Sequence, residues 1–118
     1  MVTVLKKIHR ILKPGGAVLF RGNSKKQHLI IIIFLDYGMY DMTQLRFIYK
    51  EGRKLDENYY VRFDKTTVFY YTLESVSKFF TDAGFITNEG LKYDTRELRN
   101  RKRMLNMYRV WVNGKFIK

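Results

Sequence analysis

No cysteine occurs among the 118 residues, which excludes a disulfide framework and every thiolate metal site and suits a reducing compartment. Histidine is nearly as scarce. His9 and His28 are the only two, too few for a zinc cluster or a histidine-based triad, and both are expected at the surface. The longest apolar run, LIIIIFL at 29–35, has seven residues, whereas a membrane-spanning helix needs ~20. Residues 1–13 carry a basic amphipathic pattern rather than an export signal. With no membrane or export address, the expected location is the cytoplasm, with mitochondrion and nucleus left open. Acidic side chains are also few: 11 against 23 basic ones give a net charge of +12. A field of that size favours polyanions such as nucleic acid. It is uneven, because RELRNRKR at 96–103 holds five basic residues and one Glu.

Aromatic residues are abundant, with nine Tyr and nine Phe, and 46% of the chain is apolar. That composition argues for a packed body rather than disorder. The length suits one domain or part of one, with no repeat and no internal boundary. Val4, Leu5, Ile8, Ile11 and Leu12 fall at helical spacing, with Lys6, Lys7, Arg10 and Lys13 turned away. Pro14-Gly15-Gly16 ends that helix, and residues 17–20 read as a short buried strand. Residues 22–35 form a polar turn leading into a β-branched run, which predicts a strand that hairpins back on 17–20 or displaces it. Residues 58–61 and 67–71 read as strands around a turn at 63–66. Thr72 caps a helix lined by Leu73, Val76, Phe79, Phe80 and Ala83, and Gly84 closes it. Residues 86–93 and 107–112 read as strands, and Asn113-Gly114 predicts a hairpin turn before 115–117.

Two stretches read as one motif pulled apart. IHRILKPGGAVLFR at 8–21 and DYGMYDMTQLRF at 36–47 join as VLFRDYGMYDMTQLRF once 22–35 is removed. With ENYYVR at 57–62 and MYRVW at 107–111, that run resembles the methyltransferase-like family that makes 3-methylcytidine in tRNA. The resemblance runs from Met1 to about Lys118 and matches the C-terminal part of such enzymes. It implies an α/β fold, the C-terminal half of a Rossmann-like class I methyltransferase that uses S-adenosylmethionine. Residues 1–118 are then a partial methyltransferase domain, and 22–35 an insertion or retained intron. The family's glycine-rich turn and ribose-binding acid have no counterpart here, since Gly15-Gly16 ends a helix and the glycines at 38, 52, 84 and 90 form no cradle. No cofactor-binding residue is therefore assigned, and the segment by itself is expected to be inactive.

The resemblance implies that the loop after 17–20 faces the target base in the tRNA anticodon loop. Asp36 would orient the exocyclic amine, and Tyr37 or Tyr40 would stack on the ring of a flipped cytidine. The competing reading has Asp36 capping a turn and both tyrosines in the core. N3 itself attacks the methyl in line, so no protein nucleophile is needed. Arg21, Arg46 and Arg62, and the late basic residues Arg96, Arg99, Arg101, Lys102 and Arg103, are the expected RNA contacts. Arg109 fits either a phosphate contact or an ion pair beside a strand. The family commonly has a GDGTR-like turn after YVR, whereas this chain has FDKTT at 63–67. The expected partner is tRNA, with a helper protein left open and neither membrane nor metal. Two alternatives stand beside this reading: a basic RNA-binding module stacking bases on Tyr59, Phe69 and Tyr71, and a small-molecule methyltransferase sharing only KPGG.

Overall fold

The computed structural model describes residues 1–20, 30–33, 37–87 and 90–118. In chain order its elements are α1 (Val2–Ile11), β1 (Ala17–Phe20), β2 (Ile30–Ile33), α2 (Met42–Ile48), β3 (Lys54–Asp56), β4 (Tyr59–Val61), β5 (Thr67–Phe69), α3 (Leu73–Asp82), β6 (Ile86–Thr87), β7 (Lys92–Asn100) and β8 (Leu105–Ile117). The fold is mixed α/β. Its larger sheet runs β2-β1-β8-β6, with β7 also on β8, and a second sheet runs β3-β4-β5.

Strand β8 organises the larger sheet because it changes partners along its length. Residues 105–113 pair antiparallel with β7, while 114–117 pair antiparallel with β1, Phe20 opposite Gly114 and Ala17 opposite Ile117. The expected turn at Asn113-Gly114 is therefore absent. Asn113 pairs with Lys92, and the strand continues through Gly114. A Cβ on Gly114 would lie 2.9 Å from the Phe116 ring and 3.0 Å from Leu91, so glycine is there for a close approach. Paired neighbours on each side outweigh the local turn preference of the dipeptide.

The main core lies where α1 and α3 cover this sheet, gathering Leu5, Leu12, Val18, Val76, Phe80, Ala83, Phe85, Val112 and Phe116. Phe80 and Phe116 stack with centroids 3.6 Å apart. Burying such a side chain contributes ~1.5–3 kcal/mol. Helix α3 follows its sequence closely. Thr72 caps it reciprocally with Ser75, and Gly84 follows its end at φ +95°. Helix α1 is rotated from the expected face: Leu5 and Leu12 are buried, but Val4 and Ile11 are exposed. The rotation brings His9 inward, edge-on to Phe85 at 4.9 Å, so it is half-buried packing rather than a surface residue. His28 lies outside the described residues.

Strand β2 lies parallel to β1, Ala17 opposite Ile30 and Phe20 opposite Ile33. A hairpin between them would be antiparallel. The β-branched run adds an edge strand instead, and β1 keeps its place beside β8. Of the predicted strand at 86–93, only β6 and the start of β7 form within the described residues. Four consecutive isoleucines on a sheet edge invite edge-to-edge association. Deleting residues 22–35 is accordingly expected to lower light scattering while thermal unfolding stays cooperative, since β1 retains β8. A lower melting temperature after deletion would show β2 to be integral.

Candidate functional site

Residues 37–41 are fastened between the two sheets. Gly38 N–H donates to Val110 O at 2.9 Å, Met39 N–H to Tyr71 O at 3.1 Å, and Tyr71 N–H to Tyr37 O at 2.9 Å. Gly38 permits this approach, because a Cβ there would lie 2.8 Å from the Tyr93 ring and 3.0 Å from Val110. The strap fixes Asp41, which caps α2 and is fully buried. Its Oδ1 accepts from Thr43 N–H at 2.9 Å and Thr43 Oγ1 at 2.6 Å. Its Oδ2 accepts from Arg109 Nε at 2.9 Å and Val110 N–H at 3.0 Å. Four donors on one carboxylate offset the cost of removing it from water.

This anchor aims a guanidinium. Arg109 stands on the face of β8 opposite Val110 and Val112, and its Cζ lies 4.3 Å from the centre of the Tyr37 ring. Tyr37 packs on Tyr70, whose hydroxyl shares a 2.7 Å hydrogen bond with Thr43 Oγ1. Burial pushes the Tyr70 hydroxyl up to about 12, so it stays neutral and able to donate near pH 7. Below it lie Phe47, Tyr60 and Val68, the core of the smaller sheet. Gln44, also buried, accepts from Tyr40 N–H at 2.6 Å and donates to Asn58 Oδ1 at 3.1 Å.

An open cavity of about 430 Å³ forms over this cluster, lined by Tyr37, Thr43, Phe47, Arg62, Phe63, Asp64 and Arg109. It offers an aromatic face, two guanidiniums and one carboxylate. The Asp64 carboxyl is held below its ordinary range chiefly by the Thr66 hydroxyl and amide, so it is ionised near pH 7. Sharing Thr43, Phe47 and Phe63 with it is a second cavity of about 280 Å³, completed by Arg46, Lys50 and Arg103. A flat heteroaromatic ring with polar edges suits the first cavity, and an anionic group suits the second.

The structure sorts the sequence-derived residues. Tyr37 and Arg62 meet at the first cavity, while Arg46 and Arg103 meet at the second. Arg109 is ion-paired to Asp41 and also borders the first cavity. Tyr40 is 63% exposed and lines neither cavity, with φ +66° fixed by the Gln44 bond. Asp36 and Arg21 lie outside the described residues. Arg96 is paired with Asp94 at 3.1 Å on β7, and Arg99, Arg101 and Lys102 are exposed at the end of the β7–β8 hairpin. Tyr59, Phe69 and Tyr71, the stacking platform of the RNA-module alternative, pack in series, with Tyr71 in the main core and Phe69 against it. Sequence reasoning missed Asp41, Gln44, Tyr70 and Phe63. For Asp41 the signal was present, because Asp41-Met42-Thr43 is an N-cap pattern before an apolar helix.

No three His, Cys, Asp or Glu side chains among the described residues converge as a metal site, and no helix among them is long and apolar enough to cross a membrane. No protein-family model matches the chain. Individual relatives do. The chain is 51% identical over 118 residues to O-methyltransferase 3 of Dictyostelium discoideum, matching all of itself and 24% of that protein. It is 44% identical over 109 residues to the tRNA(Thr) (cytosine(32)-N(3))-methyltransferase of Saccharomyces cerevisiae, matching 92% of itself and 15% of that protein. Against the human tRNA N(3)-cytidine methyltransferase METTL2B the identity is 42% over 118 residues, 27% of that protein. Along nearly all of its length, then, this chain is homologous to tRNA N(3)-cytidine methyltransferases, and it spans less than a third of each.

Proposed function

We propose that this chain is the substrate-side, C-terminal part of a Rossmann-like class I methyltransferase that methylates N3 of a cytidine in a tRNA anticodon loop. Residues 22–35 are then an insertion in its sequence. The observation that carries the proposal is the Arg109–Tyr37 pair, held by buried Asp41 at the mouth of a ring-sized cavity. Tyr37, with the Arg109 guanidinium lying over it, forms the platform against which an unpaired base packs, and Arg62 faces its polar edge and ribose-phosphate. Asp36, the residue before Tyr37 in sequence, is the acceptor this reading assigns to the exocyclic amine. N3 uses its own lone pair, so this chain's task is to orient the ring and exclude water. Arg46, Arg99, Arg101, Lys102 and Arg103 supply phosphate contacts.

S-adenosylmethionine is the methyl donor of this reading. The described glycines do not fit a nucleotide cradle: Gly16, Gly38 and Gly114 are closed by neighbouring atoms, Gly84 lies against His9, and Gly15, Gly52 and Gly90 stand open and apart in sequence. The donor's site is therefore assigned to no residue here. The reading places the protein in the cytoplasm with tRNA as its partner.

The test is methylation of an anticodon stem-loop by a complete enzyme carrying this chain behind a cofactor-binding half. Nucleoside mass spectrometry is expected to show 3-methylcytidine, and Tyr37→Ala is expected to remove at least 90% of it. Methyl groups found only on oxygen would overturn the reading in favour of the chemistry named for the Dictyostelium relative. Unmethylated RNA would overturn it outright.

A further inference from the structure

The second cavity is bounded by an aromatic ring with unusual surroundings. Phe63 sits at the tip of the β4–β5 hairpin and is 65% exposed. Two cations from the segment after α2 lie over its ring, Lys50 Nζ at 4.5 Å and Arg53 Cζ at 4.1 Å from the centroid. Arg46 and Arg103 complete the cavity wall, which includes no carboxylate. Cation–π attraction holds Lys50 and Arg53 over this exposed ring, yet the cations gathered around it repel one another and have no carboxylate in the cavity wall to offset them. A ligand with a flat face and a negative group relieves that repulsion. Its ring takes the place of Lys50 on Phe63, its anion pairs with the displaced ammonium, and Arg53 stays tied to Arg62 O at 3.2 Å.

We infer that Phe63 with Arg46, Lys50, Arg53 and Arg103 forms a second nucleotide subsite, which takes an unpaired nucleotide adjoining the one held at Tyr37. The inference rests on the base-site reading of the first cavity. The two cavities share Thr43, Phe47 and Phe63, so neighbouring residues of one RNA strand occupy them together. Stacking on an aromatic ring is tolerant of base identity, whereas the cations carry the salt dependence. The subsite therefore holds the loop strand in register without selecting its sequence.

The experiment uses the 118-residue chain and a hairpin RNA whose loop carries 2-aminopurine beside the target cytidine. Wild-type chain is expected to quench the probe. Phe63→Ala is expected to abolish quenching and weaken binding roughly 5- to 150-fold, the range measured when base stacking is removed, with an unchanged salt slope. Phe63→Trp is expected to restore both. Lys50→Gln with Arg53→Gln is expected to flatten the salt slope by up to ~0.7 for each phosphate left without its cation. Thermal melts of each variant check folding, and the tip position of Phe63 predicts small changes. Unchanged affinity and quenching in Phe63→Ala, no binding of the loop RNA by wild-type chain, or equal competition by polyglutamate would each overturn the inference. The two readings separate in the complete enzyme. Tyr37→Ala without effect on methylation, beside a strong Phe63→Ala effect on binding, sinks the first cavity's role alone. The reverse pattern sinks the subsite alone.

Discussion

Asp41→Ala is expected to destabilise the chain by about 3–5 kcal/mol, the usual cost of removing one partner from a buried ion pair. Four donors lose their acceptor at once: Thr43 N–H, Thr43 Oγ1, Arg109 Nε and Val110 N–H. The Arg109 side chain is only 13% exposed, so even at the cavity wall its charge is poorly solvated once Asp41 is gone. Thr43 Oγ1 is also the partner of Tyr70, and the loss reaches the smaller sheet's core. Asp41→Asn keeps an acceptor for Thr43 but lacks the charge that matches Arg109, and its loss is expected to be intermediate. The informative comparison is Asp41→Ala with Arg109→Met. Removing both charges relieves the unpaired guanidinium, so the double variant is expected to be more stable than the sum of single losses by at least 1 kcal/mol. Urea unfolding of the wild type, the three single variants and the double variant measures this. A loss below 1 kcal/mol for Asp41→Ala would show that water reaches Arg109 and that Asp41 is not its anchor.

The parts of this molecule legible in its sequence are those whose physics is local. Thr72 and Ser75 make a capping box, the apolar face of α3 has helical period, and Gly84 accepts a positive φ. Sequence alone recovers that helix. Strand β7 is different: its residues are mostly exposed, so RELRNRKR shows no period-two apolar signal and reads as a charged face. It becomes a strand because β8 offers nine successive partners, from Asn113 to Leu105. Strand β3 is exposed at all three positions and is equally silent. Asn113-Gly114 fails in the opposite sense, as a strong local signal overruled by pairing on both sides. The site divides the same way. Tyr37 and Arg62 stand out within their motifs, but which cation faces Tyr37 depends on Asp41, 68 residues from Arg109 in sequence.

The other large effect separates orienting a base from holding an RNA. In a complete enzyme made from this chain without residues 22–35 behind a cofactor-binding half, Asp36→Ala is expected to abolish cytidine methylation and largely spare tRNA binding. A base-edge hydrogen bond sets the angle at which N3 meets the methyl, and phosphate contacts supply most of the affinity. Neutralising Arg99, Arg101, Lys102 and Arg103 together is expected to do the reverse. These residues cluster at the tip of the β7–β8 hairpin, and Arg103 reaches the wall of the second cavity. Their removal should weaken binding at 0.1 M salt and flatten its salt dependence by up to ~0.7 for each phosphate that is no longer neutralised. Turnover at saturating tRNA should change little. Methylation rates and filter-binding salt titrations on both variants distinguish the roles. If Asp36→Ala lowers affinity as far as the fourfold variant and keeps its turnover rate, Asp36 holds the strand rather than the base edge, and orientation falls to Tyr37 and Arg109.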